Sequence, residues 1–388
     1  MSAFIPYGRQ SIDESDIAAV ERVLRSDWLT QGPEVPAFEQ ALCRRCAAGH
    51  AVAVSSATAA LHMACLAAGL GPGDRLWTSP NTFVASANCA RYCGAQVDFV
   101  DIDPATWCLD MGLLESKLES AARSGSLPKV VIPVAFGGRS CDMRALKRLS
   151  ERFGFTVIED ASHAVGASYA GRPVGCGDYA DMTVFSFHPV KIVTTGEGGA
   201  VLTNDPRHAE RLRSLRSHGI TRVAAEMENC SDGPWYYEMQ ELGFNYRMTD
   251  LQAALGSSQL ARLDTFIARR RQLAERYDRL LQGLPLQLPV LAPMEESAWH
   301  LYVVRLSLDR IGGTRRAVFE HLREAGIGVN VHYIPVHLQP YYRRLGFAPG
   351  DFPRAEQYYR EAISLPMYAG LDDAAQERVV GELGSAIA

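Results

Sequence analysis

Two residues near the middle of the chain have the types and the setting needed for chemistry with a carbonyl cofactor. Asp160 ends the apolar run VIED, and Lys191 follows in a loop rich in Ser, Thr and Gly, SFHPVKIVTTGEGG. A lysine amine attacks a carbonyl carbon only when it is neutral, and an unperturbed amine with a pKa of ~10.4 is almost wholly protonated at neutral pH. Burial and nearby positive charge lower that pKa. A pyridine cofactor also needs a carboxylate that keeps its ring nitrogen protonated. The pair therefore predicts an enzyme that uses pyridoxal 5′-phosphate (PLP).

A candidate phosphate cradle lies upstream, in the segment VSSATAALHMA. Small residues between a strand and a helix let backbone N–H groups at the helix N-terminus approach an anion, with the hydroxyls of Ser56 and Thr58 as further donors. The alternative is that one of these residues only caps the helix. Taken alone, the segment fits both interpretations.

Three more residues could contact a flat, phosphorylated cofactor. Phe83 falls between a strand and a helix, where its ring could stack on the cofactor, although most such phenylalanines belong to the core. His163 follows Asp160 by three residues and could reach the cofactor ring or its hydroxyl. A structural histidine with satisfied hydrogen bonds is the alternative. Ser186 ends a strand and is a further candidate phosphate donor, while the Gly-rich turn after Lys191 can set the amine beside the ring.

Composition excludes several classes of function. The chain has 388 residues, of which 47% are hydrophobic and 21% charged, with a formal net charge of −5. No Lys/Arg run indicates nucleic-acid binding, and no apolar run approaches the ~18 residues of a membrane span. The nine cysteines suit free thiols in a reducing, cytoplasmic compartment. Cys43 and Cys46 form a C-x-x-C without a second ligand pair, so we expect neighbouring turns of a helix and no metal site.

The order of the elements predicts an α/β fold. From Ala51 to about Asn204, seven short apolar strands alternate with helical segments or follow one another closely. This pattern is typical of a mostly parallel sheet covered on both faces. Sites in such sheets lie beyond the carboxyl ends of the strands, where Asp160 and Ser186 fall. Ahead of the sheet, Ser11 and Glu14 predict a capping box at the first helix.

A second, smaller α+β domain is predicted after the sheet. A polar segment from 220 to 241 looks like a surface excursion, and one long helical pattern then runs from Thr249 to Leu281. A strand and two further helices follow a Pro-rich break. We therefore divide the chain into residues 1–248, a large PLP-binding domain with an N-terminal arm, and residues 249–388, the long linking helix and a small C-terminal domain.

The combined motifs resemble those of a known family over essentially the whole chain. The motifs that carry this likeness are SSATAAL, TFVAS, EDASHA, SFHPVK with TTGEGG, and GFNYRMTDLQAA. They are similar to those of the PLP-dependent nucleotide-sugar aminotransferases, the DegT and StrS type of fold type I transferase. The resemblance implies that Lys191 bonds covalently to the cofactor, that Asp160 contacts the pyridine nitrogen and that His163 lies near a cofactor oxygen. It also implies that Phe83 stacks on the ring.

The same resemblance implies that Ala57, Thr58 and Ser186 bind the cofactor phosphate. The residue pattern itself adds Ser56 to this group. One further phosphate contact is expected from a second copy of the chain. Asn245, in NYRMTD, is expected to reach the phosphate of the neighbouring subunit. That role implies a homodimer with shared active sites.

A narrower resemblance concerns the substrate. The segments IPYGRQSI, SDWLTQGP and VNVHYIPVHLQPYY are similar to the branch of the family that aminates a UDP-linked 4-keto-6-deoxy-N-acetylhexosamine in pseudaminic acid biosynthesis, with L-glutamate as donor. The likeness implies that three groups line the sugar nucleotide pocket: Tyr7; Asp27, Trp28, Leu29 and Thr30; and Asn330, Val331, His332 and Tyr333. The last segment also suits other nucleotide sugars, or a Pro-kinked loop packed on its own aromatic residues.

Two rival functions differ from transamination. A dehydratase of the same family is one, but such relatives carry histidine at the lysine position, so Lys191 argues against it; His188 lies close in sequence but not at that position. A non-catalytic module that binds PLP or a sugar nucleotide is the other. Such a module has no use for an intact lysine and aspartate.

Overall fold

The computed structural model describes residues 3–229, 231–292 and 294–388. Its α-helices, in chain order, are α1 (Glu14–Leu24), α2 (Glu34–Cys46), α3 (Ala57–Ala67), α4 (Ala85–Tyr92), α5 (Met111–Ser124), α6 (Met143–Phe153), α7 (Pro206–Arg216), α8 (Asp250–Ala261), α9 (Leu263–Leu280), α10 (Arg315–Glu324), α11 (Pro340–Arg343), α12 (Pro353–Glu361) and α13 (Asp373–Ile387). Its strands are β1 (His50–Val54), β2 (Arg75–Thr78), β3 (Gln96–Phe99), β4 (Val130–Ile132), β5 (Thr156–Asp160), β6 (Ser168–Tyr169), β7 (Arg172–Pro173), β8 (Met182–Ser186), β9 (Gly199–Thr203), β10 (Ile220–Thr221), β11 (Glu238–Met239), β12 (Leu286–Gln287), β13 (Glu295–Glu296), β14 (Tyr302–Leu306) and β15 (Ala362–Leu365).

Seven strands form the main sheet, in the order β1-β9-β8-β5-β4-β2-β3. All neighbouring pairs from β8 to β3 are parallel, whereas β9 runs antiparallel to both β1 and β8. The predicted mostly parallel seven-stranded sheet is therefore confirmed. Parallel sheets need cover on both faces, and separate apolar cores lie on the two sides, one around Leu61 and Ile132 and another around Phe38 and Phe187.

The sheet places two predicted site residues side by side. β5 and β8 are parallel neighbours, with Ile158 opposite Met182 and Asp160 opposite Val184. Their carboxyl ends therefore meet at one edge, and they deliver Asp160 and Ser186 there. Every residue of β8 is buried. A polar side chain at such an edge faces a site rather than bulk solvent.

The C-terminal part of the chain forms a second core. The three-stranded antiparallel sheet β12-β14-β15 packs with α9, α10 and α13 around Tyr277, Tyr302 and Leu322. Ile5, from the N-terminal arm, belongs to this core, whereas Tyr358, from α12, packs into the core of the large sheet. The two parts thus exchange segments, and the division at residue 248 stays a prediction.

Two local predictions were wrong or shifted. The capping box at α1 is made by Asp13 and Asp16 instead of Ser11 and Glu14, because the Asp13 carboxylate accepts hydrogen bonds from the first-turn N–H groups. The predicted helix from Thr249 to Leu281 is two helices, α8 and α9, which meet at Arg262 without a Gly or Pro to announce the break.

The helix that follows Phe83 begins at Ala85. The described part of the 220–241 excursion is mostly exposed and carries the small hairpin of β10 and β11. None of the helices in the described ranges is long and apolar enough to cross a membrane.

Candidate active site

A cavity of about 630 Å³ opens at the carboxyl ends of β5 and β8. The N-terminus of α3, the loop after β8 and the chain from Asn330 to Ile334 form its walls. Thirteen of the predicted site residues line it: Tyr7, Ser56, Ala57, Thr58, Phe83, Asp160, His163, Ser186, Lys191, Asn330, Val331, His332 and Tyr333. The topology thus brings together groups that lie far apart in the sequence.

Lys191 lies on the loop between β8 and β9, in a turn closed by the hydrogen bond from its own N–H to the His188 carbonyl, 2.9 Å. Its side chain is half-buried and lines the cavity. Burial lowers the pKa of its amine from 10.5 to about 8, against the Asp160 carboxylate, which raises it. At pH 7 roughly one amine in ten is then neutral, compared with ~1 in 3,000 without the shift.

Asp160 is buried, and each of its carboxylate oxygens accepts a hydrogen bond from the protein. The Ser86 hydroxyl donates to Oδ2 at 2.6 Å, and the Ser162 N–H donates to Oδ1 at 3.1 Å. Two fixed donors hold the carboxylate plane and offset part of its desolvation. The remaining lone pairs are free to accept from a cationic ring nitrogen, which is the role predicted for this residue.

The start of α3 supplies an anion site. Ser56 is the N-cap residue and its Oγ accepts from the Ala59 N–H at 3.1 Å, so the helix-cap interpretation is correct for this side chain. The cap leaves the N–H groups of Ala57 and Thr58 without an intrahelical acceptor, and they line the cavity. The site therefore offers helix-terminal donors to a phosphate in addition to the cap.

The missing side chain of Gly199 allows the sheet to approach the start of α3 closely. A Cβ atom at Gly199 would lie 2.6 Å from the Ala57 nitrogen and 2.7 Å from the Ser56 carbonyl oxygen. Gly199 also pairs with Ser186 across β8 and β9. The absence of a side chain there lets the first turn of α3 and the end of β8 converge on one point.

Phe83 is not a core residue. Its side chain is 58% exposed and lines the cavity, with its ring 6.3 Å from that of Tyr333. An exposed aromatic ring at the mouth of a cavity suits stacking on a flat ligand. The structure therefore favours the stacking role over the core alternative.

His163 is buried beside the cavity, and both of its ring nitrogens contact other groups. The Gly137 N–H donates to Nδ1 at 3.3 Å, and Nε2 lies 3.1 Å from the Tyr333 hydroxyl. Burial, together with the charge of Lys191, holds its pKa well below the usual value for histidine, so the ring is neutral. It is thus a satisfied histidine that also belongs to the site.

The segment from Asn330 to Tyr333 is held rigidly against the cavity. The Asn330 Oδ1 accepts from the Val331 N–H at 2.8 Å, and His332 Nδ1 lies 2.7 Å from the Ser364 hydroxyl. Tyr7 reaches the same wall from the N-terminal arm, with its ring 5.7 Å from that of His332. These residues lie together, as expected for one binding wall.

Five predicted residues do not line the cavity of their own chain. Asp27, Trp28, Leu29 and Thr30 are all exposed, and Asn245 is exposed on the segment before α8. Trp28 keeps 55% of its surface in contact with solvent and Leu29 keeps 48%. In one copy of the chain these side chains are therefore separate from the site, and their roles stay predictions.

Sequence reasoning missed two residues of the site. Ser86 lies inside α4, is fully buried and donates a hydrogen bond to Asp160. The signal in the sequence was a hydroxyl among alanines, four residues after Thr82, because a buried hydroxyl needs a hydrogen-bond partner. His300 lines the cavity with its ring centroid 4.4 Å from that of His163. Nothing in the sequence around His300 separates it from a core histidine.

The fold and the site together define a PLP-dependent transferase of fold type I. The chain belongs to the DegT/DnrJ/EryC1/StrS aminotransferase family, which matches residues 10–384. It is 42% identical over 373 residues to the spore coat polysaccharide biosynthesis protein SpsC of Bacillus subtilis, covering 95% of this chain and 94% of that protein.

Solved structures agree in fold over the whole chain. PseC of Helicobacter pylori, an aminotransferase involved in the biosynthesis of pseudaminic acid, is 30% identical, with a TM-score of 0.89 and 99% of both chains covered. The PLP form of Spr1654 from Streptococcus pneumoniae is 30% identical, with a TM-score of 0.88, covering 99% of this chain and 98% of that one. The reaction class is that of PLP-dependent sugar aminotransferases.

The residues of the cavity fit PLP. Lys191 supplies an amine with a lowered pKa, the start of α3 supplies donors for a phosphate, and Asp160 supplies the carboxylate for the ring nitrogen. When bound, PLP supplies an aldehyde for a covalent link to an amine and a ring that withdraws electrons from the reacting carbon. Lys191, once free, can hold or release a proton at Nζ, because its pKa lies near the working pH. Phe83 and His163 line the same cavity.

Proposed function

We propose that the chain moves an amino group from L-glutamate, through PLP, to C4 of a UDP-linked 4-keto-6-deoxy-N-acetylhexosamine, as in pseudaminic acid biosynthesis. One observation carries the transamination: the Lys191 amine, with its pKa lowered to about 8, shares a cavity with the Asp160 carboxylate and a helix N-terminus. The whole-chain similarity to PseC supports the choice of sugar. Other keto sugars linked to a nucleotide are the alternative substrates.

The residues of the site divide the work of such a reaction. Lys191 Nζ takes a proton from the carbon that loses its amino group and returns a proton at the carbon that gains one, so the same atom serves both halves. Asp160 keeps its carboxylate at the ring nitrogen throughout, held by Ser86 and Ser162. The donors at the start of α3 fix the phosphate, so the reacting bond keeps one orientation to the ring.

The proposal includes a homodimer whose subunits complete each other's sites. Asn245 and the segment 27–30 are exposed in a single copy of the chain, although the family resemblance gives both a role at the site. Leu24, Trp28 and Leu29 also expose large apolar side chains within six residues of sequence. Such a patch on a soluble chain marks an interaction surface. A second copy that covers it brings Asn245 to the partner's phosphate site. The free thiols of the described cysteines support a reducing, cytoplasmic setting.

The test is a panel of 4-keto sugar nucleotides, each supplied with L-glutamate and the PLP-loaded protein. Products are identified by mass and by NMR, which give the nucleotide, the position of the new amine and its stereochemistry. We expect a 4-amino product from the UDP-linked N-acetyl sugar, and Lys191→Ala as the control should form none. Product from another sugar alone would contradict the proposed substrate, and turnover by Lys191→Ala would contradict the catalytic assignment.

The rivals predict a different response to glutamate alone. An aminotransferase converts its yellow PLP form to the pyridoxamine form when glutamate is added, whereas a binding module leaves the absorbance unchanged. A dehydratase needs no covalent lysine. Lys191 therefore favours the aminotransferase over both, and the absorbance change decides between them.

A further inference from the structure

The backbone of Gly137 fixes the tautomer of His163. A backbone N–H can only donate, so the contact at 3.3 Å makes His163 Nδ1 the acceptor. The neutral ring then carries its proton on Nε2. Burial and the charge of Lys191 keep the pKa of the ring well below its usual value, so the ring does not take up a second proton.

The tautomer in turn fixes the direction of the Tyr333 proton. Since Nε2 carries hydrogen, it donates to the Tyr333 oxygen across the 3.1 Å contact. The Tyr333 hydrogen must therefore point elsewhere, and within the part of the chain that the structure describes this hydroxyl makes no other hydrogen bond. The side chain lines the cavity, so its hydrogen is available to a ligand there. Burial raises the pKa of Tyr333, which keeps the hydroxyl protonated.

Tyr7 lies on the same wall. Asn330 accepts the Val331 N–H at its side-chain oxygen, which turns its amide nitrogen outward as a donor. Burial raises the pKa of Tyr7, and a hydrogen bond from Asn330 opposes this rise. Tyr7 lines the same cavity as Tyr333. Protonated hydroxyls on this wall suit a ligand group that only accepts hydrogen bonds, such as a carbonyl oxygen.

We propose that Tyr333 is a catalytic hydrogen-bond donor to the carbonyl oxygen of the keto substrate, and that His163 is the positioning residue that directs its hydrogen. The inference rests on the proposed function and deepens it. When an amine condenses with a ketone, the C–O bond breaks and the oxygen leaves as water, with both hydrogens coming from the amine. Tyr333 loses no proton overall: it stabilises the negative charge that builds on the oxygen while the C–N bond forms.

The experiment uses the PLP-loaded protein converted to its pyridoxamine form, with 2-oxoglutarate as the ketone and the return of the yellow PLP form as the readout. This probe is the keto acid of the proposed donor, so the assay does not depend on which sugar is used. Tyr333→Phe removes only the hydroxyl. We expect it to lower kcat/KM for 2-oxoglutarate about 10²-fold, with the PLP dissociation constant and the unfolding midpoint of the cofactor-free protein unchanged.

His163 variants test the positioning role. His163→Leu should lose as much rate as Tyr333→Phe, and the double variant should lose no more than either alone, because both changes remove one interaction. His163→Gln keeps an N–H that can reach Tyr333 and should recover most of the rate. Additive losses, or a His163→Gln variant no better than His163→Leu, would overturn the positioning role of His163.

Two further outcomes would overturn the role of Tyr333. One is a Tyr333→Phe variant within about threefold of the natural protein, far short of the loss expected for a missing donor. The other is a loss of rate matched by a loss of PLP affinity or stability, which is what a purely structural role produces. Failure of the proposed sugar function looks different: the natural protein then reacts with 2-oxoglutarate but forms no amino sugar.

Discussion

Replacing Lys191 with Met should stabilise the cofactor-free protein, and the gain should shrink as the pH rises. The amine has a pKa of 10.5 in the ordinary state and about 8 in the fold, so the folded chain resists its protonation. Between these two values the unfolded chain binds one more proton than the folded chain, so stability rises with pH there by up to ~1.4 kcal/mol per unit. Below pH 8 the amine is protonated in both states, so the full cost of burying its charge remains. Methionine has a similar length and no charge to bury.

The magnitude follows from the shift. A change of 2.5 pKa units, from 10.5 to about 8, corresponds to about 3 kcal/mol at pH 7. This is an upper limit, because the side chain is half-buried and water screens part of the cost. The difference in the free energy of unfolding between Lys191→Met and the natural protein is called the gap below. Linkage with the same two pKa values predicts that this gap narrows by up to about 2 kcal/mol from pH 7 to pH 9.5. The attraction between the protonated amine and Asp160 is already contained in the folded-state pKa, so it adds no separate term.

The assay is urea unfolding of cofactor-free natural protein and Lys191→Met at pH 7, 8, 9 and 9.5, after PLP has been removed from the natural protein. Lys147→Met, at an amine on the exposed face of α6 beside Glu151, is the matched control. We expect the Lys191→Met gap to narrow with pH and the control gap to stay constant. A Lys191→Met gap that is constant or that widens with pH would refute the reasoning, because burial of the amine could not then be what lowers its pKa.

Three other changes test the site. Gly199→Ala should weaken PLP binding at least tenfold, because its Cβ would meet the Ala57 nitrogen at 2.6 Å, whereas Gly381→Ala, with open space around it, should bind PLP normally; equal affinities in a fluorescence titration would contradict the close approach. Asp160→Ala should lower PLP affinity and slow both half-reactions in stopped-flow absorbance, and normal kinetics would mean that another group serves the ring nitrogen. Mixing Lys191→Ala with Asn245→Ala subunits should restore part of the activity, and no rescue after subunit exchange would argue for independent sites.

The fold and the centre of the site were readable from the sequence for physical reasons. Short apolar strands that alternate with helices leave few ways to bury both sheet faces, so the parallel sheet followed from the pattern. Once that sheet is assumed, Asp160 and Ser186 must fall at one edge because they end parallel strands. The position of Lys191 followed from the Gly-rich turn beside it.

The sequence alone could not predict the contacts between distant segments. Ser86 meets Asp160 across 74 residues of chain, and Tyr333 meets His163 across 170. A single sequence gives the order of such residues but not which side chains meet when helices pack on the sheet. The break at Arg262 also escaped, because no Gly or Pro marks it in the sequence. Local patterns therefore predicted elements and strand ends, and tertiary contacts decided the rest.

The balance at Lys191 shows why the donors on Asp160 matter. Burial lowers the pKa of the amine, while the Asp160 carboxylate, which the ring nitrogen needs, raises it. A bare carboxylate in the same cavity attracts the ammonium more strongly and keeps the amine protonated. Ser86 and Ser162 each donate to one carboxylate oxygen and so spread its charge away from the amine. Removing the Ser86 hydroxyl should therefore raise the pKa of the Lys191 amine and, with it, the pH needed for the lysine–cofactor link to form. This effect is expected even though Ser86 touches neither the lysine nor the cavity.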